Sequence, residues 1–395
     1  MQWFPLLFAL LLPCSFALNY KEEWGYVSVR TKAHLFWWHY YTDDAERPLV
    51  LWLQGGPGAS GVGFGNFEEI GPVDWHNRTR QHSWLAKADL LFIDYPVGTG
   101  FSYTTHPNGY TKNIDEICND LLAFLKFWEP RHINATMQPF YIFSESYGGK
   151  VAAVFGDLLY KKVQSDEINI NFKGVVLGNS WISPVDYTAI LNLTLHEDNL
   201  LMYKDVAKKC QDFVDQNSWS EATDYCEMAH NVLAMTGVDF YNIMGGNDIK
   251  QTGQDEFMNY DVRQKLRIIP ESVHWTNISW KVADKHREDI MKPVIHHVDN
   301  LLSHENIKVV VFSGEWDLVC NVLGTLRWMS KLNWPHLNHF KKMDRKAFFT
   351  KSGQFVGYFK KLKNLEFYLV KKAGHMVPKD NPEAGIRMLE MILGQ

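Results

Sequence analysis

Short apolar runs recur along the chain, separated by turn residues, and they set the expected elements. Leu35–Tyr41, Leu49–Leu53, Ala88–Ile93, Phe140–Phe143, Phe172–Leu177, Ile307–Phe312 and Leu365–Val370 are rich in β-branched, aromatic and leucine residues. Runs that are apolar at successive positions suit strands covered on both faces. Between them Ile114, Ile117, Leu121, Leu122 and Leu125 recur at helical spacing, which predicts a helix over Ile114–Trp128. Val151, Ala152, Val154, Phe155, Leu158 and Leu159 do the same after Phe140–Phe143, and a further helix is expected over His296–Leu302. Strands alternating with helices predict an α/β class with a mostly parallel central sheet.

The pattern changes between Pro184 and about Met291, where polar helices and Asn- and Gly-rich turns replace the β runs. That stretch is expected to be a mainly helical cap inserted over the sheet. The expected organisation is a signal peptide over 1–17, a first core part over 18–184, the cap over 185–291 and a second core part over 292–395. Trp3–Phe16 is mostly apolar, and Ser15 and Ala17 supply the small residues of a cleavage site, although no basic residue precedes the run. The run is shorter than the ~20 residues a membrane span needs.

Composition narrows the partners. The chain has 395 residues, 46% of them hydrophobic and 22% charged, which is globular usage. A formal net charge of −5 gives no reason to expect a nucleic-acid or anionic-membrane partner. A secretory route, ending secreted or in the lysosome, is supported by sequons at Asn77, Asn134, Asn192 and Asn277. The mature chain keeps Cys118, Cys210, Cys226 and Cys320, and sequence alone leaves three pairings open. Cys210 and Cys226 are near neighbours; if paired, their loop is worth roughly 3 kcal/mol. Cys320 is expected to be a free thiol near Asp317, the alternative being a bridge to Cys118. No Cys/His spacing predicts a metal site, no cofactor is expected, and a homodimer is left open.

The chemistry centres on Phe140–Lys150, FYIFSESYGGK. An apolar strand, a tight turn expected over Ser144–Gly149 and a helix together form the context of a nucleophile elbow, with Ser146 at its apex. Ser144 stands where such elbows carry their first glycine. Asp317 follows Ile307–Phe312 within SGEWD, and His375 follows Leu365–Val370 within AGHM. Serine needs a histidine to take its proton, and an aspartate to hold that imidazole and stabilise its cation. The chain order Ser146, Asp317, His375 is the one α/β-hydrolases use. Two rival motifs fail on spacing: Ser144–Val151 lacks the first glycine and the hydroxyl of a P-loop, and Gly61–Gly65 has the wrong register for a dinucleotide loop.

LVLWLQGGPGAS at Leu49–Ser60, FGNFEEIGP at Phe64–Pro72, DYPVGTGFSY at Asp94–Tyr103, GNSWISP at Gly178–Pro184, EWDLVCN at Glu315–Asn321 and AGHMVPKDNP at Ala373–Pro382 accompany the elbow in order. With them the chain resembles the serine carboxypeptidase family, nearest its retinoid-inducible branch, over nearly all of the mature sequence. The resemblance implies an α/β-hydrolase fold and release of C-terminal residues from peptides with a free C-terminus, favoured at acidic pH. It implies an oxyanion hole from the N–H groups of Gly56 and Tyr147, and a clamp on the substrate carboxylate from Trp52, Gln54, Glu69 and Glu145. The family usually has Asn where this chain has Gln54, which offers the same amide one methylene further out. Alternatives are an esterase or acyltransferase using the same triad, or a secreted binding or protective partner with little turnover.

Overall fold

The computed structural model describes residues 20–132, 136–188, 197–235, 237–245 and 253–395. The expected signal peptide and the sequons at Asn134 and Asn192 lie outside these residues.

Among the described residues eleven strands form one sheet: β1 (Lys21–Arg30), β2 (Ala33–Tyr41), β3 (Leu49–Leu53), β4 (Asp89–Asp94), β5 (Tyr103–Thr104), β6 (Phe140–Ser146), β7 (Phe172–Ser180), β8 (Lys308–Gly314), β9 (Lys346–Phe349), β10 (Phe355–Leu362) and β11 (Leu365–Val370). The spatial order is β1-β2-β4-β3-β6-β7-β8-β11-β10-β9, with β5 paired to β2. From β4 to β11 every neighbouring pair is parallel, and the outer pairs on both sides are antiparallel.

The parallel strands read as continuous apolar runs because both faces are covered. Leu51, Leu53, Ile142, Leu177, Val309 and Val311 pack on one side with helices α1 (Ile114–Trp128) and α2 (Tyr147–Gln164). Val50, Trp52, Phe143, Val176, Val310 and Phe312 pack on the other, against Met388, Leu389 and Ile392 of the last helix, Pro382–Leu393. Burying each such side chain stabilises the fold by about 1.5–3 kcal/mol. Asn113 caps α1 by accepting from the Glu116 N–H at 2.9 Å.

Sequence and structure part company at the elbow. There is no separate turn over Ser144–Gly149: β6 continues through Ser144, Glu145 and Ser146, and α2 begins at Tyr147. Pairing explains it, since Ser144 lies between Leu53 and Leu177, and Glu145 faces Gly178. The reversal falls on Ser146 alone, whose φ of 59° and ψ of −128° cost about 1–3 kcal/mol of backbone strain.

Between β7 and β8 run two paired helices, Glu197–Asp215 and Trp219–Ala234, joined by a Cys210–Cys226 disulfide, then short helical segments from Gln254 to Leu266 and over Trp280–Lys285. No described residue of this stretch belongs to a named strand. Cys118 and Cys320 are free and buried.

Candidate active site

Ser146 is the last residue of β6, Asp317 and His375 follow the carboxyl ends of β8 and β11, and so all three lie at one edge of the parallel sheet. The elbow holds Ser146 up because its neighbours are small. Gly149 packs so tightly on Ser180 that a Cβ would overlap the hydroxyl. Ser144, fully buried, donates its hydroxyl to the Val176 carbonyl at 2.8 Å, so serine at this position adds a tie to β7. No side chain caps the N-terminus of α2, leaving its first N–H groups, Tyr147 included, for an incoming anion.

His375 Nδ1 lies 2.8 Å from Asp317 Oδ2, and both residues are buried. Burial alone would favour the neutral ring, but the Asp317 carboxylate, its hydrogen bond, and more distantly Glu69 and Asp380 outweigh it and raise the His375 pKa. The other oxygen of Asp317 accepts from the Cys320 N–H at 3.1 Å.

Asn179, at the end of β7, joins these parts. Its amide donates to Asp317 Oδ2 and, at 3.3 Å, to the Gly374 carbonyl, while its Oδ1 accepts from the Gly314 N–H at 3.1 Å. The next residues reach the nucleophile: Ser180 pairs with Ser146, and the Trp181 N–H donates to the Ser146 carbonyl at 2.8 Å. Three successive residues, the last two of β7 and Trp181 after it, thus connect the serine to the Asp317–His375 pair. Sequence reasoning included Asn179 only within a motif; the one signal available was its place after a strand.

Gln54, Glu69, Glu145 and Trp52 come together beside Ser146 in a buried cluster, each at most 3% exposed. The Trp52 indole N–H donates to Gln54 Oε1 at 2.6 Å, which fixes the amide so that its nitrogen donates to Glu145 Oε1 at 2.9 Å. Trp52 therefore orients Gln54, its own N–H being engaged. Both oxygens of Glu69 and Oε2 of Glu145 have no conventional donor. Burial first, and then the neighbouring Glu69, raise the Glu145 pKa well above the usual carboxyl range; burial also pushes Glu69 up to about 7, despite the hydrogen bond it receives from Glu145. A proton on Glu145 donated to Glu69 pairs Glu145 Oε2 with one Glu69 oxygen and removes one of two adjacent charges.

The loop carrying Gly56 is fixed from behind. Asp94 accepts from Ser60 Oγ at 2.6 Å and from the N–H groups of Val62 and Phe101, and Trp275 donates its indole N–H to Ser60 Oγ at 3.0 Å. On α2 the Tyr147 hydroxyl reaches Asp289 Oδ2 at 3.3 Å, and buried Lys150 donates to the carbonyls of Asp289 and Ile290.

Asp317, Cys320 and His375 also bring three ligand-type atoms within 4.8 Å of one another. With Asp317 and His375 in direct hydrogen-bond contact, and burial holding the Cys320 thiol well above its usual pKa, the trio is arranged for proton transfer rather than as three open ligands. Of the expected glycosylation sites within the described residues, Asn77 is exposed in a turn, whereas the Asn277 amide donates inward to Gln254 at 2.8 Å.

The family model described as serine carboxypeptidase matches residues 13–395. The chain is 39% identical to the retinoid-inducible serine carboxypeptidase of Mus musculus, over 95% of this chain and 92% of that protein. It is 36% identical to serine carboxypeptidase-like 51 of Arabidopsis thaliana, covering 93% and 91%. The fold is similar to that of Kex1, a prohormone-processing carboxypeptidase from Saccharomyces cerevisiae, with a TM-score of 0.81 at 24% identity, covering 94% of this chain and 91% of the other.

Proposed function

Because this chain belongs to the serine carboxypeptidase family, we propose that it releases C-terminal residues from peptides through an acyl-enzyme on Ser146, most effectively at acidic pH. The observation that carries the reading is the buried Asp317–His375 contact at 2.8 Å, on loops at the same sheet edge as the strained Ser146. His375 takes the Ser146 proton as the hydroxyl oxygen attacks the scissile carbonyl. The N–H groups of Gly56 and Tyr147 receive the oxyanion. Collapse breaks the C–N bond, and His375 returns the proton to the departing amine. Water, deprotonated in turn by His375, then frees the acid and restores the serine.

Gln54 and the proton held by Glu145 and Glu69 supply the donors for the C-terminal carboxylate. An acid preference follows, because Glu69 gives up its own proton as the pH rises through about 7 and then faces the substrate carboxylate as an anion. The segment 185–291 is read as a cap. A secretory location agrees with the Cys210–Cys226 disulfide, and no helix among the described residues is long and apolar enough to cross a membrane.

The test uses one peptide with a free and with an amidated C-terminus, read by mass spectrometry. Sequential shortening of the free form, abolished in Ser146→Ala, is expected, together with organofluorophosphonate labelling at Ser146 alone. Labelling elsewhere, or turnover that survives Ser146→Ala, refutes the assignment.

A further inference from the structure

The segment Phe240–Gly245 lies across the loops that carry Asp317 and His375. Three backbone hydrogen bonds hold it there. The His375 N–H donates to the Tyr241 carbonyl at 2.7 Å, the Ile243 N–H to the Trp316 carbonyl at 3.1 Å, and the Leu318 N–H to the Phe240 carbonyl at 2.9 Å. The residues on either side of Asp317 and the backbone of His375 are therefore pinned to one short peptide. Gly374 permits the approach, because a Cβ there would overlap the Tyr241 carbonyl and come 2.7 Å from Asn242 Cβ. Asn242 Oδ1 accepts from the N–H groups of Met244 at 3.2 Å and Gly245 at 2.8 Å, closing the far end into a turn. The Tyr241 ring stands edge-on to the His375 imidazole, with centroids 5.1 Å apart and planes at 74°, while the residue stays 47% exposed.

We propose that Phe240–Gly245 is a positioning strap through which the insertion between β7 and β8 sets the geometry of the Asp317–His375 pair, with Tyr241 limiting the swing of the imidazole. The proposal rests on the reading of those two residues as the acid–base pair. The imidazole must face the serine, then the leaving amine, then water, and a misplacement of ~1 Å costs about 100-fold in rate. Asp317 and His375 follow different strands; their loops bond to each other through the Trp316 N–H and the Ala373 carbonyl at 2.9 Å, and Asn179 and the strap each hold both of them. Because the strap belongs to the insertion, a displacement of the insertion is transmitted to the proton-transfer groups.

Three variants test this beside Ser146→Ala. Ile243→Pro removes the N–H that bonds to Trp316. Tyr241→Ala removes the ring, and Tyr241→Phe keeps it. The charged or titratable groups around His375 are Asp317, Glu69, Asp380, the Tyr241 hydroxyl and the Cys320 thiol, which burial keeps protonated, so the pH profile of kcat reports its contact with Asp317. For Ile243→Pro and Tyr241→Ala we expect kcat to fall about tenfold, with KM within about twofold. We also expect the acid limb of kcat to move to lower pH, because a looser carboxylate holds the imidazolium proton less tightly. Tyr241→Phe should match the wild type. Should Ile243→Pro not fold, the Tyr241 pair still decides. Unchanged kcat and acid limb in the folded variants overturn the strap, as does a loss that Tyr241→Phe shares or that leaves the acid limb in place. Failure of the underlying triad reads differently: Ser146→Ala then retains turnover.

Discussion

Replacing Glu69 and Glu145 together by Gln should remove the pH dependence of carboxylate recognition. In the wild type the two side chains are buried beside Gln54, Glu145 holds its proton tightly, and Glu69 is pushed up to about 7. The carboxyl pair therefore carries protons in acid solution and gives one up as the pH rises through about 7. A further negative charge facing a peptide carboxylate weakens binding in proportion to the fraction ionised. For one group titrating near 7, affinity at pH 8 is about tenfold below that at pH 5, or ~1.4 kcal/mol, nearly all of it lost above pH 6. An amidated peptide lacks the charge and should change by less than about twofold. Gln at both positions leaves neutral amides with donors at every pH, so the free-acid peptide should bind with a flat profile. Calorimetric titration of Ser146→Ala, with and without the two Glu→Gln changes, measures binding without interference from chemistry. The sign for stability is the same: a carboxyl whose folded pKa is raised stabilises below its ordinary pKa, and that contribution disappears as pH rises through about 7. The double variant should therefore gain Tm over its parent at pH 8 and not at pH 5. If free and amidated peptides weaken in parallel, or the double variant keeps the tenfold loss, the shared proton is not what recognises the carboxylate.

Other outcomes are open to direct measurement. Asn179→Ala leaves the Gly314 N–H without its acceptor and Asp317 short of a donor; unfolding by denaturant should show a loss of ~2–3 kcal/mol, and steady-state assays a kcat down at least about tenfold. A Cys210→Ser/Cys226→Ser variant opens a loop whose ends are 16 residues apart, with an expected loss of ~3 kcal/mol, concentrated by hydrogen exchange in the two helices it joins. Glycopeptide mapping should find a glycan on exposed Asn77 and much lower occupancy at Asn277, whose amide is turned inward; equal occupancy would mean that segment opens in solution.

The central strands were legible because covering both faces demands an uninterrupted apolar run, as in LVLWL and KVVVFSG. Of the outer antiparallel strands β2 was legible too, through the run Leu35–Tyr41, but β1 and β10 were not. β1 reads KEEWGYVSVR and β10 reads FVGYFKKL, each with polar residues facing solvent and no run to mark it. Ser146, Asp317 and His375 could be placed because each lies within a few residues of the end of an apolar run. Asn179 and Tyr241 could not, since what matters about them is contact with residues 138 positions away in one case and in a separate loop in the other. The first pairing exists only once β7 and β8 lie side by side, the second only once the insertion has folded back on the sheet.

Lys150 gives the insertion a further meaning for engineering. Its ammonium lies beneath α2, fully buried, with its pKa pushed down to about 7 by that burial, and its donors go to the carbonyls of Asp289 and Ile290. Deleting 185–291 to obtain an open-cleft protease would remove both acceptors from a cation just one turn from Ser146. A minimal catalytic core would need an apolar replacement at position 150 and a new partner for Tyr147, so cap and elbow form one heritable unit. Recombining caps between relatives should succeed where the residue under the helix travels with the cap, and give insoluble protein where it does not.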